Sequence, residues 1–97
     1  MTKADIIHEV SNMTGLTKVE IEAVLEGVIV SISDSLKRGE RVDIRGFGSF
    51  LVKQWAARDA RNPATHEIVK LKERFVPMFK VSKILKEDVN KSRLRGF

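Results

Sequence analysis

Apolar positions in the first forty residues recur at spacings of three and four, the period of a helix with one buried face. Ile6, Ile7, Val10 and Met13 form a first stripe. Ile21, Val24, Leu25, Val28, Ile29, Ile32 and Leu36 form a second, longer one. Thr2-x-x-Asp5 is a capping-box variant that opens the first helix, and Gly15 closes it as a left-handed C′ residue. Thr17-x-x-Glu20 opens the second, and Gly39 ends it. The pattern predicts a helical hairpin with a short turn. The second stripe is long and wide for so small a body. It suits burial against a symmetry mate as well as its own chain; an ordinary intrachain core is the plainer alternative.

After Gly39 the period changes to two. Val42-Asp43-Ile44-Arg45 reads as a short strand, and Gly46 and Gly48 flank Phe47 as at a turn or a close backbone approach. Phe47, Phe50 and Phe79 are the expected core aromatics. Phe50 to Ala57 and Ile68 to Val76 are two extended runs joined by Asn62-Pro63, a turn signal. In the second run Val69, Leu71 and Phe75 share one face, and Lys70, Lys72 and Arg74 the other. Alternate strand residues lie ~6.6 Å apart, close to the ~6.8 Å between every second phosphate of one DNA strand. A solvated edge face would show the same alternation. Pro77 marks a sheet edge or strand end. Ser82 caps a last short helix with Leu85 and Val89 inward and Lys83 and Lys86 outward.

Composition sharpens this. If roughly 25 of the 97 residues form an arm, about 70 remain for a body, which is marginal alone. With no Cys there is no disulfide and no thiolate metal site, so an intimate oligomer is the remaining route to stability. Residues 1–41 hold five Lys/Arg against seven Asp/Glu, a net −2; residues 42–97 hold thirteen against six, a net +7. The basic half points to a polyanion. No apolar run approaches the ~18 residues of a membrane span, and the opening Met1-Thr2-Lys3-Ala4-Asp5 reads as a helix start, not a signal peptide.

Gly46-Phe47-Gly48-Ser49-Phe50, followed some ten residues later by Arg61-Asn62-Pro63-x-Thr65, resembles the bacterial HU and integration host factor family of DNA-bending proteins, in register from about Met1 to Asn90. The resemblance implies an α+β fold: an N-terminal helical hairpin, a three-stranded antiparallel sheet extended into a long β-hairpin arm at about 53–76, a short C-terminal helix, and an intertwined dimer. The domain would cover 1–90; residues 91–97, a short basic tail, lie beyond the resemblance. The arms would enter the minor groove, and the proline at each tip, Pro63 by position, would wedge between base pairs. The protein would reside in the cytoplasm, on the nucleoid. Trp55, the only Trp, stands where the family's arm is often basic. It suits stacking on a sugar, anchoring the arm, or packing across the hairpin on Val69 or Leu71.

The candidate site follows. Pro63 is the intercalating residue, with Arg61, Asn62 and Thr65 as minor-groove contacts. Phosphate ligands are Lys53, Arg58, Lys70, Lys72, Arg74 and Lys80 on the arm, and Lys3, Arg45, Lys83 and Lys86 on the body. Lys3 and Glu26 stand where they can pair, which would compete with a phosphate for Lys3. No catalytic, metal or cofactor pattern is found: His8 and His66 lack partner ligands, and Gly46-Phe47-Gly48 runs on into strand rather than a phosphate-binding helix. Three readings result. The first is an architectural protein that bends duplex DNA as a homodimer, or as an integration host factor-type subunit of a heterodimer. The second is a basic dimeric module for RNA or an acidic protein. The third is a membrane-surface binder, disfavoured by the acidic outer face of helix two (Glu20, Glu22, Glu26, Asp34).

Overall fold

The computed structural model describes residues 1–92. In order it contains α1 (Lys3–Thr14), α2 (Lys18–Lys37), β1 (Val42–Ile44), β2 (Gly48–Trp55), β3 (Arg58–Arg61), β4 (Ile68–Leu71), β5 (Arg74–Val81) and α3 (Lys83–Asn90). The chain divides into two units, 1–34 and 35–97.

In the first unit the helix ends follow from local chemistry. The Thr2 hydroxyl accepts from the Asp5 N–H at 3.3 Å while the Asp5 carboxylate accepts from the Thr2 N–H at 2.7 Å, a complete capping box. Gly15 closes α1 at φ 77°, its N–H donating to the Ser11 carbonyl. At α2 the Thr17 hydroxyl accepts from the Glu20 N–H at 3.2 Å. Lys3 and Glu26 form an ion pair between the two helices. Ile7 and Ile21 are the buried apolar side chains among the described residues. Much of both expected stripes is open on the single chain: Met13 is 81 % exposed and Val24 64 %, and Val28 and Ile29 are exposed too.

In the second unit Gly39, at φ 76°, ends α2 by donating to the Leu36 carbonyl. β1, β2 and β5 form an antiparallel sheet in the order β1-β2-β5. The strand expected to reach Arg45 stops at Ile44, because a turn follows: the Phe47 N–H donates to the Ile44 carbonyl, and Gly46 takes φ 82°. Gly48 serves a different need. A Cβ there would lie 2.5 Å from the Lys80 carbonyl oxygen and 2.6 Å from the Phe79 ring. Pro77 sits in the middle of β5, opposite Val52, on the open edge of the sheet where no ladder N–H is required.

Phe79 lies 5.2 Å from Phe47 and 5.0 Å from Phe50, ring centre to ring centre. The trio forms as expected, but Phe47 and Phe79 are exposed, so on one chain it is a surface cluster rather than a core. Ser82 accepts from the Leu85 N–H at 3.1 Å, capping α3, and donates to the Gly46 carbonyl at 3.0 Å, tying α3 to the β1–β2 turn. Leu85 is half-buried, whereas Val89, expected inward, is exposed. Of the tail, Lys91 and Ser92 are not loose: their N–H groups donate to the Glu87 and Val89 carbonyls. The remainder, 93–97, lies outside the described residues.

Candidate nucleic-acid interface

The arm is a hairpin with a break in it. β2 pairs with β5 as far as Trp55↔Arg74, and β3 pairs with β4 from Arg58↔Leu71. These two pairs are three residues apart on each strand, so the register passes through the break unshifted. The interruption falls at 56–57 and 72–73, where the expected run from Ile68 to Val76 loses its ladder. Side chains link the strands there: Gln54 donates to the Glu73 carboxylate.

Cross-strand partners share a face of a sheet. Ser49↔Lys80, Lys53↔Val76, Trp55↔Arg74, Asp59↔Lys70 and Arg61↔Ile68 therefore define one face. Continued alternation adds Lys72 to it. Lys53, Arg61, Lys70, Lys72, Arg74 and Lys80 thus lie on one side of the arm, with Asp59 as its acidic member. Val69, Leu71 and Phe75 lie on the other.

Arg58 belongs by alternation to that second face. Its guanidinium nevertheless reaches over the break to within 5.6 Å of the Trp55 ring centre, and the Arg74 guanidinium lies 5.3 Å from the same ring. The register places Val69 and Leu71 on the opposite face of the hairpin from Trp55. Its neighbours are cations.

The tip is a six-residue loop, 62–67, between β3 and β4. The Asn62 N–H donates to the Glu67 carbonyl at 2.8 Å, and the His66 N–H to the Asn62 carbonyl at 2.7 Å. Asn62 Oδ1 accepts from the Ala64 N–H at 2.9 Å, and the Thr65 hydroxyl from the Glu67 N–H at 3.4 Å. These bonds fix the loop around Pro63, whose ring is exposed at its summit. His66 takes φ 60°, a left-handed conformation without glycine that pattern reading did not anticipate.

On the second unit's body an open depression of about 480 Å³ gathers Arg41, Arg45, Lys80 and Lys83 around Asp43 and Ser49. Arg41 is not among the expected site residues. It donates to Asp43 at 2.8 Å and to the Ser49 hydroxyl at 3.2 Å, and Ser49 in turn donates to Asp43. The signal was there: Arg41 and Asp43 alternate, and the β1–β2 register sets Asp43 opposite Ser49. The Ser49 hydroxyl, and after it the Arg41 guanidinium, hold the Asp43 carboxyl below its ordinary range. Lys83 pairs with Glu87 at 4.0 Å one turn along α3, and Lys86 lies on the same exposed helix. Lys3 is held by Glu26 in the first unit. Among the described residues no group of three or more His, Asp or Glu could hold a metal ion, and no helix is long and apolar enough to cross a membrane.

Comparison with known proteins identifies the family. The family model described as bacterial DNA-binding protein matches residues 1–90. The chain is 43 % identical to the integration host factor subunit beta of Marinobacter nauticus, over 100 % of both chains. It is 40 % identical to the DNA-binding protein HU of Clostridium pasteurianum, over 94 % of this chain and 100 % of that one. Among solved structures, an Anabaena HU–DNA cocrystal aligns with TM-score 0.84 and 32 % identity, covering 95 % of this chain and 100 % of its own. The chain belongs to the family of bacterial DNA-binding proteins to which HU and the integration host factor subunits also belong.

Proposed function

We propose that the protein is an architectural element of the nucleoid: a dimer whose two arms enter the minor groove of duplex DNA and bend it. The observation that carries this reading is the pairing of a one-sided basic arm with an exposed proline on a hydrogen-bonded tip. Lys53, Lys70, Lys72, Arg74 and Lys80 neutralise phosphates along the arm, and Arg58 joins them by crossing the break. Arg61, Asn62 and Thr65 face the groove beside Pro63, and Pro63 unstacks one base step. Arg45, Lys83 and Lys86 extend the positive surface over the body of the second unit; Lys3, in the first unit, must exchange Glu26 for a phosphate to take part. Lys, Arg and a proline read charge and deformability, not sequence.

Dimerisation is supported by the apolar side chains of α2 and the aromatic trio, which one chain leaves open to water. Exposed apolar surface of that kind, on either unit, marks an interface. A homodimer and a heterodimer with a related chain both satisfy this geometry.

The test is affinity and bending on random, nicked and A-tract duplexes at two salt concentrations. The reading expects binding to all three, steep weakening with salt, and a bend in each. Preference for single-stranded RNA, or binding indifferent to salt, would contradict it.

A further inference from the structure

The cations around Trp55 need an explanation that the arm's charge alone does not give. Two guanidiniums sit within 5.6 Å of the centre of one indole ring. Both are cations, and the negative face of the ring attracts each of them. The two come from different pieces of the arm. Arg74 is the cross-strand partner of Trp55 at the end of the β2–β5 ladder; Arg58 begins the next ladder, beyond the break. The indole therefore spans the one interruption in the hairpin's hydrogen bonding. An open depression of about 440 Å³ lies beside it, lined by Lys53, Gln54, Trp55, Ala56 and Arg58.

We propose that Trp55 is a positioning residue for DNA binding: it holds Arg58 and Arg74 on both sides of the break so that the two guanidiniums grip one stretch of sugar–phosphate backbone. The chemistry suits both partners at once. A guanidinium held near a ring by its charge still offers N–H groups to other acceptors, and these match phosphate oxygens in pairs. A flexible exposed arginine must otherwise be ordered when DNA arrives; here the ring orders it beforehand. Arg58, which alternation assigns to the wrong face, is brought to the DNA side by the same contact. The Gln54–Glu73 hydrogen bond links the strands at the same place, so the break is bridged by side chains where its backbone bonds are missing.

This rests on the reading of the basic arm face as the DNA-binding face, and the test separates the two. Duplex affinity is measured for the parent, Trp55→Ala, Trp55→Tyr, the double variant Arg58→Ala/Arg74→Ala, and that double variant carrying Trp55→Ala. The proposal expects Trp55→Ala to weaken binding roughly tenfold, the cost of ordering two arginine side chains on binding. Trp55→Tyr, which keeps a ring face, should recover most of the loss. In the background lacking both arginines, Trp55→Ala should change nothing further. Parental affinity in Trp55→Ala, no recovery with Tyr, or an equal loss with and without the arginines would each overturn it; the last would assign the indole a direct contact with DNA or a purely structural role. Should Trp55→Ala fail to fold, the emission of the single Trp decides. It should shift in the free protein when both arginines are replaced, and an unchanged spectrum would overturn the contact. A parent that does not bind duplex in a salt-dependent way would sink the arm reading itself, whereas salt-dependent binding unaffected by Trp55→Ala sinks only this proposal.

Discussion

The ring of Phe79 lies against the backbone of Gly48 so closely that a methyl group on Gly48 would sit 2.6 Å from two ring carbons. The contact joins β2 to β5 at the root of the arm, where Gly48 is paired with Val81. Gly48→Ala must push the ring aside or open the strands. It should destabilise the fold by about 1–3 kcal/mol, as overpacking does. The check is a denaturant midpoint at fixed protein concentration; a midpoint equal to the parent's would show that the ring moves freely.

Acid should loosen two further joints. Hydrogen bonds from the Thr2 backbone and hydroxyl hold Asp5 below the ordinary carboxylate range, and Ser49 followed by Arg41 does the same for Asp43. A carboxylate whose folded pKa is depressed contributes stability above its unfolded pKa and loses it as pH falls through the folded value. Stability should thus decline from about pH 4 downward. Both groups are exposed, so the decline is gentle. Asp43→Asn should melt lower than the parent at neutral pH and lose less between pH 6 and pH 3. A parallel pH dependence would show that the Asp43 cluster contributes nothing.

Much of this architecture was legible because it is decided locally. Thr2, Gly15, Gly39 and Ser82 cap helices with their own neighbours, and alternation alone sorted Lys70, Lys72 and Arg74 from Val69, Leu71 and Phe75. What was not legible depends on register or on a missing partner. Ala56-Ala57 and Lys72-Glu73 carry no proline or glycine to announce a break. Trp55 finds Arg74 only because β2 and β5 pair in one particular register, and Arg58 only because its long side chain crosses between faces. Phe47, Phe79 and Val89 were expected inward because they are apolar; on a single chain they are exposed.

That exposure leads to a prediction about assembly. If α2 and the aromatic trio are covered by a second chain, folding and association are one process, and the melting temperature should rise with protein concentration. Val28→Asp on α2 should abolish the folded state rather than yield a folded monomer. A melt independent of concentration, with a monomer mass in solution, would contradict the dimer.

The phosphate role of the arm makes a prediction about salt. Affinity should fall with salt along a log–log line whose slope is about −0.9 per phosphate neutralised. Lys70→Ala or Lys72→Ala should weaken binding to every duplex alike and reduce the slope by roughly one per subunit. A change in sequence preference with the slope intact would show that these lysines do not track the backbone.

The central claim is that Pro63 bends DNA as a wedge, not merely that it stiffens a turn. The tip is held by the bonds of Asn62, Thr65 and His66, so Pro63→Ala leaves the loop and every arm charge in place. Unstacking a base step costs on the order of a few kcal/mol, recovered through the contacts that a bent duplex makes. The most direct measurement is end-to-end energy transfer on an intact duplex at saturating protein, for the parent and for Pro63→Ala. A wedge predicts a clearly smaller bend for the variant, with binding through the basic faces retained and a smaller deficit on nicked or mismatched DNA. Equal bend angles for the two proteins on intact duplex would contradict it and leave Pro63 as a turn residue.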